Sequence, residues 1–84
     1  MTPVELKAIV KEVYGGVQRR LARDIGKDDT PISRWAAGVT SIEETEAFAI
    51  RLLLMMHRRK INWRKWLDEY KETLGEVENL EGIL

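Results

Sequence analysis

Apolar positions recur along this chain at steps of three and four, the period of helices packed on one side, and no segment alternates as a strand would. Thr2-Pro3-Val4-Glu5 forms a capping box, with a Thr cap, proline at the first helical position and Glu three residues after the cap. Leu6, Ile9, Val10 and Val13 then share a face, and Gly15-Gly16 ends the first helix near Tyr14. A second helix is predicted from about Val17 to Ile25, with Val17, Leu21, Ala22 and Ile25 inward and Gly26 as its stop. With Asp28 as cap, a short third helix over about Asp29 to Ala37 turns Ile32, Trp35 and Ala36 inward, and Gly38 closes it. Ser41-x-x-Glu44 reads as a second capping box, opening a long fourth helix that reaches roughly Arg59. Its inward positions are expected to be Phe48, Ala49, Leu52, Leu53 and Met56. Asn62 can cap a fifth helix in which Trp63, Trp66, Leu67, Tyr70 and Leu74 recur at helical spacing, with Gly75 as its expected end. The expected fold is all-α: a compact five-helix domain, with residues 1–60 as its body. Residues 61–84 form an aromatic helix and acidic tail, packed on that body, dimerising, or both.

Composition narrows the picture. The chain has 84 residues, the size of one domain, and 44% of them are hydrophobic, enough for a packed core. No run of about twenty apolar residues is present to span a membrane. The N-terminus lacks the pattern of a secretory signal. Without cysteine there are no disulfides or thiolate metal sites, which suits a reducing compartment, so a cytoplasmic protein is expected. Fourteen basic and fourteen acidic residues cancel, but not evenly along the chain. Residues 1–61 carry eleven basic against eight acidic side chains, and residues 62–84 carry three against six. A mildly basic body before an acidic tail is compatible with a DNA-contacting domain.

The centre of the sequence, from Gln18 to Gly38, meets the requirements of two short helices crossing at a tight turn. Ala22 is small where the helices must approach, and Gly26 supplies the left-handed residue of the turn. Ile32 and Trp35 are the buried anchors of the later helix, while Asp29, Thr30, Ser33 and Arg34 remain for its outer face. These residues make a helix-turn-helix motif.

With Gln18, Leu21-Ala22, Ile25-Gly26, Ile32-Ser33-Arg34-Trp35 and Gly38, the chain resembles the lambda-repressor-like (XRE/Cro-type) helix-turn-helix family. Thr40-Ser41-Ile42 ahead of a long helix with Ala49-x-x-Leu52-Leu53 adds to the likeness, which covers roughly residues 5–56. The resemblance implies a DNA-binding transcription regulator, a small phage or mobile-element repressor that reads an inverted repeat in double-stranded DNA as a homodimer. It implies Asp29, Thr30, Ser33 and Arg34 as base-reading candidates, and Gln18, Lys27 and Thr40 as candidates for phosphate contact. Two departures stand out. Lys27 occupies a place where the family usually buries an aliphatic side chain, so its stem is expected to snorkel or the turn to open. Asp28-Asp29 brings carboxylates to the edge of the reading face. Asp28 is explained as a helix cap, while Asp29 either accepts from a cytosine amino group or marks a scaffold that no longer binds DNA.

Trp63, Trp66, Leu67, Tyr70 and Leu74 lie outside the family-like region. They are expected either to complete the core or to form a dimer seam, since aromatic residues are enriched in interfaces. Arg19, Arg20 and Arg23 read equally as backbone contacts or a solvated face. His57-Arg58-Arg59-Lys60 is explained by the dipole at a helix end. The lone His57 has no ligand partners at suitable spacing, and no catalytic triad or phosphate loop occurs, so neither metal, cofactor nor enzymatic activity is expected. The alternative function is a helix-turn-helix scaffold reused as a protein-interaction module, antitoxin or anti-regulator, with its partner on the C-terminal segment. A third is an accessory DNA-bending protein.

Overall fold

The computed structural model describes residues 1–83, with side chains through Leu74. The described residues form five helices and no strand: α1 (Pro3–Tyr14), α2 (Gln18–Asp24), α3 (Asp29–Ala36), α4 (Glu44–Arg58) and α5 (Trp63–Ile83). The all-α expectation is therefore met.

Local chemistry sets most boundaries. The Thr2 side chain accepts from the Glu5 N–H at 3.2 Å, capping α1. Glu5 does not complete the box; its carboxylate turns to Arg51 instead. After α2, Gly26 stands at φ +70°, so that the Gly26 N–H reaches the Arg23 carbonyl and the Lys27 N–H reaches Ala22 at 2.8 Å. This left-handed glycine satisfies the carbonyls at the helix end and reverses the chain. Gly38 repeats the device after α3, with the Val39 N–H donating to Arg34 at 2.9 Å. At the end of α4 the same arrangement falls on Lys60, with φ 56°. There the side chain adds strain that glycine would avoid.

Leu6, Ile9, Val10 and Tyr14 from α1, Leu21 and Ala22 from α2, Ile32, Trp35 and Ala36 from α3, and Ile50 and Leu53 from α4 build one core. Ile42 and Trp63 pack against its edge. Ion pairs fasten α1 to α4: Arg51 is bidentate on Glu5 at 2.8 and 3.0 Å, and Arg58 on Glu12 at 2.7 and 2.8 Å. Both partners advance two turns from one pair to the next, so α1 and α4 run side by side in the same direction. Each guanidinium holds its carboxyl below the usual carboxylate range.

Several expectations are corrected. The fourth helix begins at Glu44 rather than Ser41, and its cap residue Glu43 makes no side-chain cap. Ile42 is drawn onto the core, which keeps Ser41 to Glu43 outside the helix. Its buried face is Ala47, Ile50 and Leu53, whereas Phe48 is 68% exposed and Leu52 also faces solvent. The second helix is shorter than expected, with Val17 exposed, and Asp28 occupies the cap position of α3 without a side-chain cap bond. The fifth helix does not stop at Gly75; its backbone continues to Ile83. Asn62 does cap it, accepting from the Lys65 N–H at 3.3 Å.

Candidate nucleic-acid interface

Three features of the sequence bring α2 and α3 together. Leu21 and Ala22 are buried on one side of the turn and Ile32 and Trp35 on the other, with Gly26 between them. Burial of Ile32 and Trp35 leaves the other side of α3 to Asp29, Thr30, Ser33 and Arg34, all exposed. Pro31 lies in the first turn of α3, where a missing N–H costs no helical hydrogen bond. The result is a short polar helix face with two donors-and-acceptors, one guanidinium and one carboxylate.

Gln18, the first residue of α2, is brought to this face. Its Oε1 lies 3.5 Å from the Ser33 hydroxyl, a long contact in which Ser33 is the donor. Arg19 also reaches α3, with Nε 3.8 Å from the Asp29 carboxylate. Both side chains of that pair are largely in water, so the pair offsets charge without holding the helices together. Thr40 is exposed in the turn that follows Gly38, beyond the end of α3. Gln18, Asp29, Thr30, Ser33 and Arg34 thus gather on the α2–α3 surface, with Thr40 past its far end.

Lys27 behaves differently. Its ammonium lies 3.5 Å from Glu46 of α4 and 5.7 Å from the centre of the Trp35 ring. The stem crosses the turn as expected of a snorkelling lysine, but its charge is directed to α4. The Glu46 Oε2 it meets is buried and has no hydrogen-bond partner, so Lys27 is its nearest compensation.

Sequence reasoning missed a polar node at the last residue of α2. The Tyr14 hydroxyl donates to Asp24 Oδ2 at 2.6 Å, and Arg64 donates to the same oxygen at 2.7 Å. The Asp24 side chain is only 8% exposed. Burial, then the hydrogen bond to Asp24, pushes the Tyr14 hydroxyl well above its ordinary pKa. The clue in sequence was a lone carboxylate, Asp24, in an otherwise basic helix 2. Arg64 also lies over the Trp63 ring, 5.0 Å from its centre, so the first turn of α5 is fixed against the end of α2.

Of the aromatic-helix candidates, Trp63 is half-buried against the core. Trp66, Leu67, Tyr70 and Leu74 are exposed, and from Arg64 onward no described side chain of α5 is buried. His57, Arg59 and Lys60 are exposed at the end of α4, while Arg58 is engaged by Glu12. No helix among the described residues is long and apolar enough to cross a membrane. Comparison with protein-family models, curated proteins and solved structures finds no match for this chain.

Proposed function

We propose that this protein is a sequence-specific DNA-binding regulator of the lambda-repressor-like type, a small repressor acting as a homodimer on an inverted repeat. The observation that carries this reading is the exposed polar face of α3, presented beside the start of α2 by a buried Ala22–Ile32–Trp35 contact. A helix of this kind fits a major groove, where polar side chains distinguish base edges. Arg34 and Ser33 are assigned to bases, together with Thr30 and Asp29. Gln18 orients Ser33 and reaches a phosphate at the start of α2, and Thr40 reaches one beyond α3. Lys27, directed to Glu46, serves the geometry of the turn. The exposed stripe of α5 joins two copies, because a single copy of this size reads only one half-site.

The test is selection from a random duplex library, followed by titration of the selected and scrambled duplexes over a range of salt. Enrichment of an inverted repeat with half-sites roughly one helical turn apart, about 34 Å, supports the reading. Equal, weak affinity for both duplexes overturns it. A second reading, a protein-interaction module, is favoured by the uncovered Trp66 and Tyr70. It gains if tight protein binding accompanies that loss of DNA selectivity.

A further inference from the structure

Among the described residues, two apolar stripes on different helices are left exposed. The first is on α4. Phe48, Leu52 and Met55 follow each other at steps of four and three, and all three are exposed. At 100° per residue they lie on the side of α4 opposite Ile50, which is fully buried. The body of the protein therefore cannot cover them. The second stripe is Trp66, Leu67, Tyr70 and Leu74 on α5, with Trp66 62% and Tyr70 60% exposed.

We infer that these stripes are the two halves of one seam: α5 of one copy lies along the outer face of α4 of a second copy, and the reverse contact is made at the same time. This rests on the homodimer reading above and names the surface that receives α5.

Three observations select a second copy as the occupant. The first is length: Phe48 to Met55 spans about 10 Å of helix and Trp66 to Leu74 about 12 Å, at 1.5 Å per residue. Laid in the same direction, Trp66 falls beside Phe48, Tyr70 beside Leu52 and Leu74 beside Met55. A depression of about 410 Å³ lined by Met1, Ile42, Glu44, Ala47, Phe48 and Arg51 adjoins the start of that stripe. It is where Trp66 would enter, as aromatic anchors of interfaces do.

The second is charge. The same alignment carries the acidic later part of the fifth helix, with Glu76 and Glu78 following Leu74 in sequence, toward Arg59 and Lys60. Those two cations are exposed at the end of α4, whereas Arg58 is already held by Glu12.

The third is area. The α5 stripe alone exposes roughly 400 Å² per chain, so pairing it with itself buries about 800 Å² in all, under the ~1,000 Å² a stable interface needs. Adding the α4 stripe, roughly 300 Å² per chain, raises the total to about 1,400 Å², within the range of specific dimers.

The chain has no cysteine, so engineered pairs report cleanly. Leu52→Cys and Tyr70→Cys chains are mixed and oxidised, and the mixed 52–70 cross-link is expected to exceed both 52–52 and 70–70 products. In sedimentation, Leu52→Glu should keep wild-type helicity, since Leu52 is exposed within its own chain. Its dimer should dissociate about 30-fold or more weaker than wild type. Predominant 70–70 cross-linking, with Leu52→Glu still dimeric and Trp66→Ala monomeric, would overturn this seam and leave an α5–α5 homodimer standing. A wild type that sediments as a monomer at tens of micromolar would overturn the homodimer itself.

Discussion

The Tyr14 hydroxyl donates to Asp24 at 2.6 Å, and this bond joins the end of α1 to the end of α2. The folded state holds Tyr14 protonated, with its pKa above the ordinary value of 10.0. In the unfolded chain the hydroxyl ionises near that ordinary value, so above it the unfolded state binds fewer protons than the native one. Stability is therefore full below about pH 10 and falls as pH rises beyond it, by up to about 1.4 kcal/mol per pH unit. Tyr14→Phe should remove that alkaline loss. Urea unfolding of both proteins between about pH 8 and 11, the range around tyrosine ionisation, measures the difference. Parallel stability curves for the two proteins would show that Tyr14 titrates alike in both states.

Lys60 closes α4 in a left-handed conformation, the only residue other than glycine with positive φ among the described residues. The Lys60 N–H bonds to the His57 carbonyl and the Ile61 N–H to Met56, so the backbone geometry is that of a glycine cap. Lys60→Gly should stabilise the fold by about 1 kcal/mol, less the entropy glycine adds to the unfolded chain. A lower melting temperature for Lys60→Gly would show that the lysine side chain contributes more than its backbone strain costs.

How far the sequence is legible depends on how much of a helix is apolar. In α1 and α3 the apolar residues occupy one face, and Leu6, Ile9, Val10, Ile32, Trp35 and Ala36 are all buried as their spacing implies. In α4 the run from Ala47 to Met56 is apolar nearly all round, broken only by Arg51, so two overlapping stripes fit the period. The structure uses Ala47–Ile50–Leu53, and the stripe containing Phe48 and Leu52 is its outer face. Glycine marks the turn after α2 and α3, but nothing of the kind marks Lys60. The exposed face of α3 was legible because burial of Ile32 and Trp35 dictates it. The Asp24 node was not, since Tyr14, Asp24 and Arg64 come from three helices and share no local pattern.

Lys27 and Glu46 form a pair across the turn, with side chains 38% and 19% exposed. Removing either partner alone should destabilise the protein, and Lys27→Met more than Glu46→Gln, because it leaves a buried carboxylate oxygen without its cation. Allowing for solvent screening at the lysine, the coupling in a double-mutant cycle should be about 0.5–1 kcal/mol. Strictly additive losses would count against the pair. The salt slope of DNA binding by Lys27→Met should match wild type; a drop of about one would place the ammonium on a phosphate instead.

Arg34 is exposed on α3 one residue after Ser33, with no ion-pair partner among the described residues. A free guanidinium there can take the O6 and N7 acceptors of guanine. Arg34→Ala should cost about 1–3 kcal/mol on the selected duplex and relax discrimination at one base pair. Arg34→Lys should restore the charge but not the bidentate geometry, and so recover random-duplex affinity more than selectivity. Equal losses on selected and random DNA would move Arg34 to the phosphate contacts.

Asp29 decides whether the acidic edge of α3 is a reader or a brake. It lies in the first turn of α3, exposed, 3.8 Å from Arg19 on the neighbouring helix. That pair is too hydrated to matter for folding, so Asp29→Ala should change stability by less than about 0.5 kcal/mol. Its effect on DNA should be larger, because the variant removes a repelling charge and releases the Arg19 guanidinium. Affinity for random duplex should rise, with a salt slope steeper by up to about one. If Asp29 accepts from a cytosine amino group, affinity for the selected duplex should fall in the same variant, narrowing selectivity from both sides. Asp29→Asn separates the two effects, since it removes the charge while keeping one carbonyl acceptor for the base. Retained selectivity in Asp29→Asn, lost in Asp29→Ala, is the expected pattern for a reader. Tighter binding of every duplex by both variants, with unchanged preference, would leave Asp29 as a brake on Arg19 alone.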